Sequence, residues 1–202
     1  MAYVFNSKIE SPERLERMLV ARGPEVDLLE KRGKALVDKG TLSQSLIVGP
    51  RGSGKTHILR VFFNRLWKHP KVHKKVAIAY MVEDEYGIDS FLDFIIRIFN
   101  AFGRWYSDEA SQRLEESIEQ LKRTPPDYWE STAIQILNDY LNGRELLIII
   151  ENLNDIFEGL KKTGQAKLRD YIQQHNNVAF FASSQALFVD IQKEDRPFQN
   201  FF

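Results

Sequence analysis

Gly49-Pro50-Arg51-Gly52-Ser53-Gly54-Lys55-Thr56 satisfies every fixed position of the pattern G-x-x-x-x-G-K-[ST], directly after the apolar run Ser45-Leu46-Ile47-Val48. Small residues at this spacing let consecutive backbone N–H groups curl round phosphate oxygens, while the helix expected from about Lys55 to Trp67 turns its positive end toward them. Lys55 is placed to reach the β- and γ-phosphates as a point charge, and the Thr56 hydroxyl to hold Mg²⁺. His57, next along the helix, is grouped with the loop. The expected ligand is therefore a nucleoside triphosphate, ATP before GTP, together with Mg²⁺.

Such a loop needs a sheet beneath it. Ser45–Val48 reads as the first strand, and Val76-Ala77-Ile78-Ala79-Tyr80-Met81-Val82 as the second, completing a βαβ unit. Leu146-Leu147-Ile148-Ile149-Ile150 is a continuous apolar run, as expected of a central parallel strand, and Val178-Ala179-Phe180-Phe181-Ala182 gives a fourth. Helices are expected at Ser11–Arg22, Glu25–Asp38 with Gly40 as its stop, Asp89–Phe102, Ser107–Arg123, a helix capped by Thr124-Pro125-Pro126-Asp127 that carries Trp129, Ile134, Leu137 and Leu141 and ends at Gly143, and Asp155–Gln174 with a break near Thr163-Gly164. The Asp89–Phe102 helix is apolar nearly all round and is read as core rather than as a partner surface. Strand and helix alternate, so the fold class is α/β: a three-layer αβα sandwich with a parallel sheet. One domain over 1–202 is expected, with helices of 1–40 flanking the nucleotide and the αβα core in 41–202.

Glu151 closes the most apolar strand and is the Walker B candidate, acting on the metal together with Thr56. A Glu reaches one methylene further than the usual Asp, so its contact with the metal is expected to run through water.

The 202 residues contain 43% hydrophobic side chains, enough for a core, and Lys+Arg and Asp+Glu both total 28. Nucleic acid stays open as a partner but gains no support from this balanced charge. With no cysteine and only four histidines, disulfides, thiolate catalysis and cysteine-ligated zinc are excluded. No stretch has the length of a membrane span and the start lacks a signal-peptide layout, so a cytoplasmic protein without membrane attachment is expected. The aromatic end Pro197-Phe198-Gln199-Asn200-Phe201-Phe202 suggests continuation into a longer protein.

Taken together, these motifs resemble those of the additional-strand ATPases, in particular AAA+ proteins related to Orc/Cdc6 and the neighbouring STAND ATPases. Gly49–Thr56 matches Walker A, Ile148-Ile149-Ile150-Glu151-Asn152 a modified Walker B, and Phe181-Ala182-Ser183-Ser184-Gln185 sensor 1. The resemblance implies a sheet of order 5-1-4-3-2, its fifth strand and helical lid lying at or beyond the C-terminal end. It implies that Leu19–Glu25, with Ala21 and Arg22, flanks adenine, that Ser184 senses the γ-phosphate, and that Arg196 reaches nucleotide bound by a neighbouring subunit, with Arg169 a weaker candidate. Self-association through a nucleotide-bearing interface follows.

Relatives carry a catalytic Glu where this chain has Asn152, which orients water but takes no proton. Hydrolysis is then slow, or Glu151 serves as the base as well, or the base is Glu83, Asp84 or Glu85. The implied function is an ATPase module coupling nucleotide state to conformation or assembly, in DNA handling or defence. A non-hydrolytic ATP-binding scaffold is the alternative. A GTP switch is a third reading, because Asp84-Glu85-Tyr86-Gly87 fits D-x-x-G and Asn152-Leu153-Asn154-Asp155 loosely follows N-K-x-D without the lysine.

Overall fold

The computed structural model describes residues 10–82, 87–106, 109–185, 197–199 and 201–202, with only the backbone given for 109–111. Along the chain lie α1 (Pro12–Arg17), α2 (Gly23–Lys39), β1 (Gln44–Val48), α3 (Lys55–Trp67), α4 (Val72–Lys75) and β2 (Val76–Met81). They are followed by α5 (Phe91–Trp105), α6 (Glu109–Leu121), α7 (Trp129–Leu141), β3 (Glu145–Ile150), α8 (Leu153–His175) and β4 (Val178–Ser184).

The strands form a parallel sheet of order β1-β4-β3-β2. This is the expected 1-4-3-2 arrangement, and β4 is inserted between the strand that precedes the glycine loop and the strand that ends at Glu151. The register pairs Val48 with Ser184 and Ile150 with Ala182, which brings these two chain ends to one edge of the sheet.

Period-two alternation sorts the side chains into two cores. Ile78 and Tyr80, Leu147 and Ile149, and Ala179 and Phe181 face α2 and α3, where they pack with Leu36, Phe62 and Phe63. Ala77 and Ala79, Ile148 and Ile150, and Phe180 and Ala182 face α5, α7 and α8. Helix α5 buries Phe91, Phe94, Ile95, Ile98, Phe99 and Phe102, so its apolar circumference is core. Leu114 and Leu121 seat the otherwise charged α6.

Two local expectations are corrected. Thr124-Pro125-Pro126-Asp127 does not cap α7: a 3₁₀ turn, Pro126–Tyr128, precedes the helix and Tyr128 takes the cap position. The break in α8 falls at Lys161 (φ 54°) rather than at Thr163-Gly164, and the buried Gln165 amide bridges it by donating to the Phe157 carbonyl at 2.9 Å. Within the aromatic C-terminal stretch, Phe198 is fully buried against Phe157.

Candidate nucleotide-binding site

Between β1 and α3 the chain turns through Gly52 and Gly54 at φ 82° and 86°, a region that side chains disfavour. A Cβ on Gly49 would stand 2.9 Å from Ser53 Oγ, so the loop closes tightly and a side chain there would have to turn the Ser53 hydroxyl aside. The Gly49 N–H is anchored on the Ser184 carbonyl (3.2 Å), and Ser53 N donates to Pro50 O (3.2 Å). Lys55 folds back over this turn, its Nζ 2.6 Å from Gly49 O and 2.9 Å from Pro50 O. The loop is a backbone cradle at a helix N-terminus with a cation at its rim, and its donors suit the phosphates of Mg-ATP.

Glu151 lies just past the end of β3, 4% exposed, its N–H bonded to Met81 O (3.1 Å). Tyr80 Oη donates to Glu151 Oε1 at 2.5 Å, so the carboxylate stands on the α3 side of the sheet, where Tyr80 packs. Burial, then the Glu151 charge, pushes the Tyr80 phenol well above its ordinary value, against the pull of nearby Arg60. Tyr80 therefore remains a proton donor at any physiological pH. Arg60, on the loop's own helix, stacks over Trp105 at 4.5 Å and Tyr80 at 5.5 Å. The acid thus stands on the sheet face against which α3, the helix that carries Thr56, packs.

Asn152 adopts the left-handed conformation (φ 57°), which Asn tolerates better than most residues. Its Nδ2 donates to Asp155 Oδ2 at 2.5 Å and its N–H to Ser183 Oγ at 3.3 Å. The Nδ2 end of the amide is thus engaged in the first turn of α8, while Oδ1 is buried with no partner among the described residues. Ser183 shares the parity of Phe181 and so lies on the α3 face, whereas Ser184 lies on the other and donates to Asn154 Oδ1 at 3.0 Å. Neither the Asn154 contact nor the division between the two serines could be read from Ser183-Ser184-Gln185, because strand parity needs the register.

His57 Nε2 lies 2.8 Å from Leu15 O, and Arg65 binds Glu16 through Nε (2.7 Å) and Nη2 (2.9 Å), so α1 is pinned to both ends of α3. The turn that follows α1 carries Ala21 at φ 57° and Arg22, whose Nη1 pairs with Glu25 at 2.9 Å on the surface. Arg169 stacks over Phe201 at 4.6 Å and is partly desolvated, which lowers its pKa. Arg196 and the acidic trio Glu83, Asp84 and Glu85 lie outside the described residues.

The structure therefore gathers Gly49–Thr56, Glu151, Asn152, Ser183 and Ser184 at the C-terminal edge of β1, β4 and β3. That assembly prompts comparison with known folds. No protein-family model and no curated protein matches the sequence. Solved structures do. The structure of the Aeropyrum pernix Orc1 protein in complex with DNA aligns with TM-score 0.62 and 14% identity over 93% of this chain and 44% of that one. The fold is that of the Orc/Cdc6 P-loop ATPase domain.

Two further Orc/Cdc6 structures agree. Cdc6p from Pyrobaculum aerophilum gives TM-score 0.57 and 12% identity over 91% of this chain and 44% of its own. The Aeropyrum pernix Orc2 protein, in ADPNP–ADP complexes, gives 0.56 and 17% over 83% and 42%. The chain spans under half the length of each of these Orc/Cdc6 proteins. Among the described residues, no helix is long and apolar enough to cross a membrane.

Proposed function

We propose that this chain is the nucleotide-binding module of a larger AAA+ protein, binding Mg-ATP in the Gly49–Thr56 loop and hydrolysing it slowly. The carrying observation is the buried Glu151 carboxylate, fixed by Tyr80 on the sheet face of the helix that begins at Lys55. The Orc2 neighbour's ADPNP–ADP complexes support a nucleotide reading of the shared fold.

In this reading backbone N–H groups between Gly52 and Thr56 cradle the phosphates, and Lys55 exchanges its carbonyl partners for the γ-phosphate. The Thr56 hydroxyl and Glu151, the latter through water, would hold Mg²⁺, which supplies charge neutralisation when bound. Ala21 and Arg22 border the adenine, and the His57 bond to Leu15 fixes that segment against α3. Ser183, on the α3 face, is better placed than Ser184 to sense the γ-phosphate.

No strong base follows Glu151, since Asn152 takes no proton and its amide is engaged with Asp155. Glu151 then positions water and accepts its proton, or hydrolysis waits for a base from elsewhere. An arginine such as Arg196 would act on the nucleotide of a neighbouring copy, which ties hydrolysis to assembly. The Asn152–Asp155 pairing favours ATP over GTP, because a purine-reading N-K-x-D motif would need both side chains for the base.

The test is single-turnover hydrolysis with ATP bound. Phosphate release above background that is lost in Glu151→Gln, with binding retained, supports the ATPase. Bound ATP without release, in the intact chain and in the presence of excess protein, supports the non-hydrolytic scaffold.

A further inference from the structure

We propose that a second ligand site, for a small phosphate-bearing molecule, is built at the end of the sheet opposite the P-loop. There α4, α6, α7 and the chain entering β3 enclose a cleft of about 570 Å³, within the size range of small-molecule sites. Lys74, Arg113 and Arg144 line it, with Asp139 the one carboxylate among its lining residues. In a chain of balanced overall charge, this concentrates positive potential in a concave pocket, where it attracts anions most strongly.

Arg144 is what makes the cleft a built site rather than a solvated patch. Its Nε donates to Leu141 O at 3.1 Å, its Nη2 to Tyr140 O at 2.7 Å, and the guanidinium stacks on the Tyr140 ring at 5.0 Å. Two of the five N–H donors thus fix the plane at the C-terminal end of α7, and three remain for a ligand. A fork held flat in this way loses little entropy on gripping two phosphate oxygens. Lys74 is exposed and forms no ion pair with a described residue. The His73 imidazole is braced edge-on against Trp67 at 4.6 Å, a further polar group on a rigid mount. Asp139 would accept a hydroxyl or amine of the same ligand, which favours a phosphorylated metabolite over a bare ion.

The site is separate from the nucleotide site. Strand β3 begins at Glu145, beside Arg144, and ends next to Glu151, about 20 Å away for a strand of this length. The two cannot share one triphosphate.

The experiment is calorimetric titration of Lys55→Ala chain with inorganic pyrophosphate, repeated after adding Arg144→Gln, and separately Lys74→Gln. Binding near one equivalent, weakened about tenfold or more by Arg144→Gln and severalfold by Lys74→Gln, is expected. Lys74 is exposed, so its variant reads the site even if Arg144→Gln disturbs the end of α7. No binding in Lys55→Ala, or binding that ignores both substitutions, overturns the site. A short single-stranded oligonucleotide that binds through the same two residues and far more tightly than pyrophosphate would also overturn it, making the cleft a nucleic-acid contact.

Discussion

The hydroxyl of Tyr80 donates to the Oε1 of Glu151 across adjacent strands, at 2.5 Å and inside the core. One strand thereby sets the position of the acid that ends another, so β2 contributes to the candidate site through Tyr80. Tyr80→Phe should leave ATP binding within about threefold but slow single-turnover hydrolysis about tenfold or more, the scale of one hydrogen bond to a charged group. Equal hydrolysis rates in the two proteins would show that the carboxylate needs no such support.

Asn152 separates a backbone role from a chemical one. Its left-handed conformation predicts that Asn152→Gly keeps stability within about 0.5 kcal/mol, while Asn152→Ala costs about 1–2 kcal/mol in urea unfolding. If the residue serves only the turn, Asn152→Gly also hydrolyses ATP at the parental rate. A large loss of turnover in that stable variant would assign the amide a hold on water.

The two serines should differ in kind. Ser183→Ala removes the acceptor of the Asn152 N–H and should cost about 1 kcal/mol of stability, but is also expected to lower hydrolysis severalfold where the protein stays folded. Ser184→Ala breaks the bond to Asn154 at 3.0 Å and should cost about 1 kcal/mol of stability first. The reverse pattern would return the γ-phosphate role to Ser184.

Arg65 clamps Glu16, Asp27 and Glu30, joining α1 and α2 to α3. Its hydrogen bonds hold the Glu16 carboxyl below the ordinary glutamate value. A lowered folded-state pKa gives stability that is present above the unfolded value, about 4.3, and is lost as pH falls through the folded one. Urea midpoints should therefore drop below about pH 4.5, and Arg65→Ala should flatten that drop while costing about 1–2 kcal/mol at pH 7, a modest figure because Glu16 is partly exposed. An unchanged pH profile in Arg65→Ala would remove the clamp from the account.

Much of this architecture was legible because its signals are local. The glycine loop, the apolar strands and the helix from Lys55 to Trp67 are written in consecutive residues, and the order 1-4-3-2 followed from the resemblance those motifs carry. Tyr80 was not legible as a partner of Glu151, since nothing in Val76–Val82 marks one aromatic residue until register places it beside the end of β3. Likewise the break at Lys161 carries no glycine or proline to announce it, and Thr124-Pro125-Pro126-Asp127 reads as the cap of α7, whereas Pro126–Tyr128 form a 3₁₀ turn before it. The basic cleft was hidden by a balanced charge, because Lys74, Arg113 and Arg144 come from distant segments.

The most direct test of the central claim is calorimetric titration of the folded chain with ATP and excess Mg²⁺, alongside Lys55→Ala. The account predicts binding near one equivalent, with micromolar affinity, weakened at least about a hundredfold by the substitution, as expected for loss of the Lys55 charge at the rim of the loop. Absence of binding heat from well-folded protein at several temperatures, or equal affinity in the Lys55→Ala chain, would contradict it.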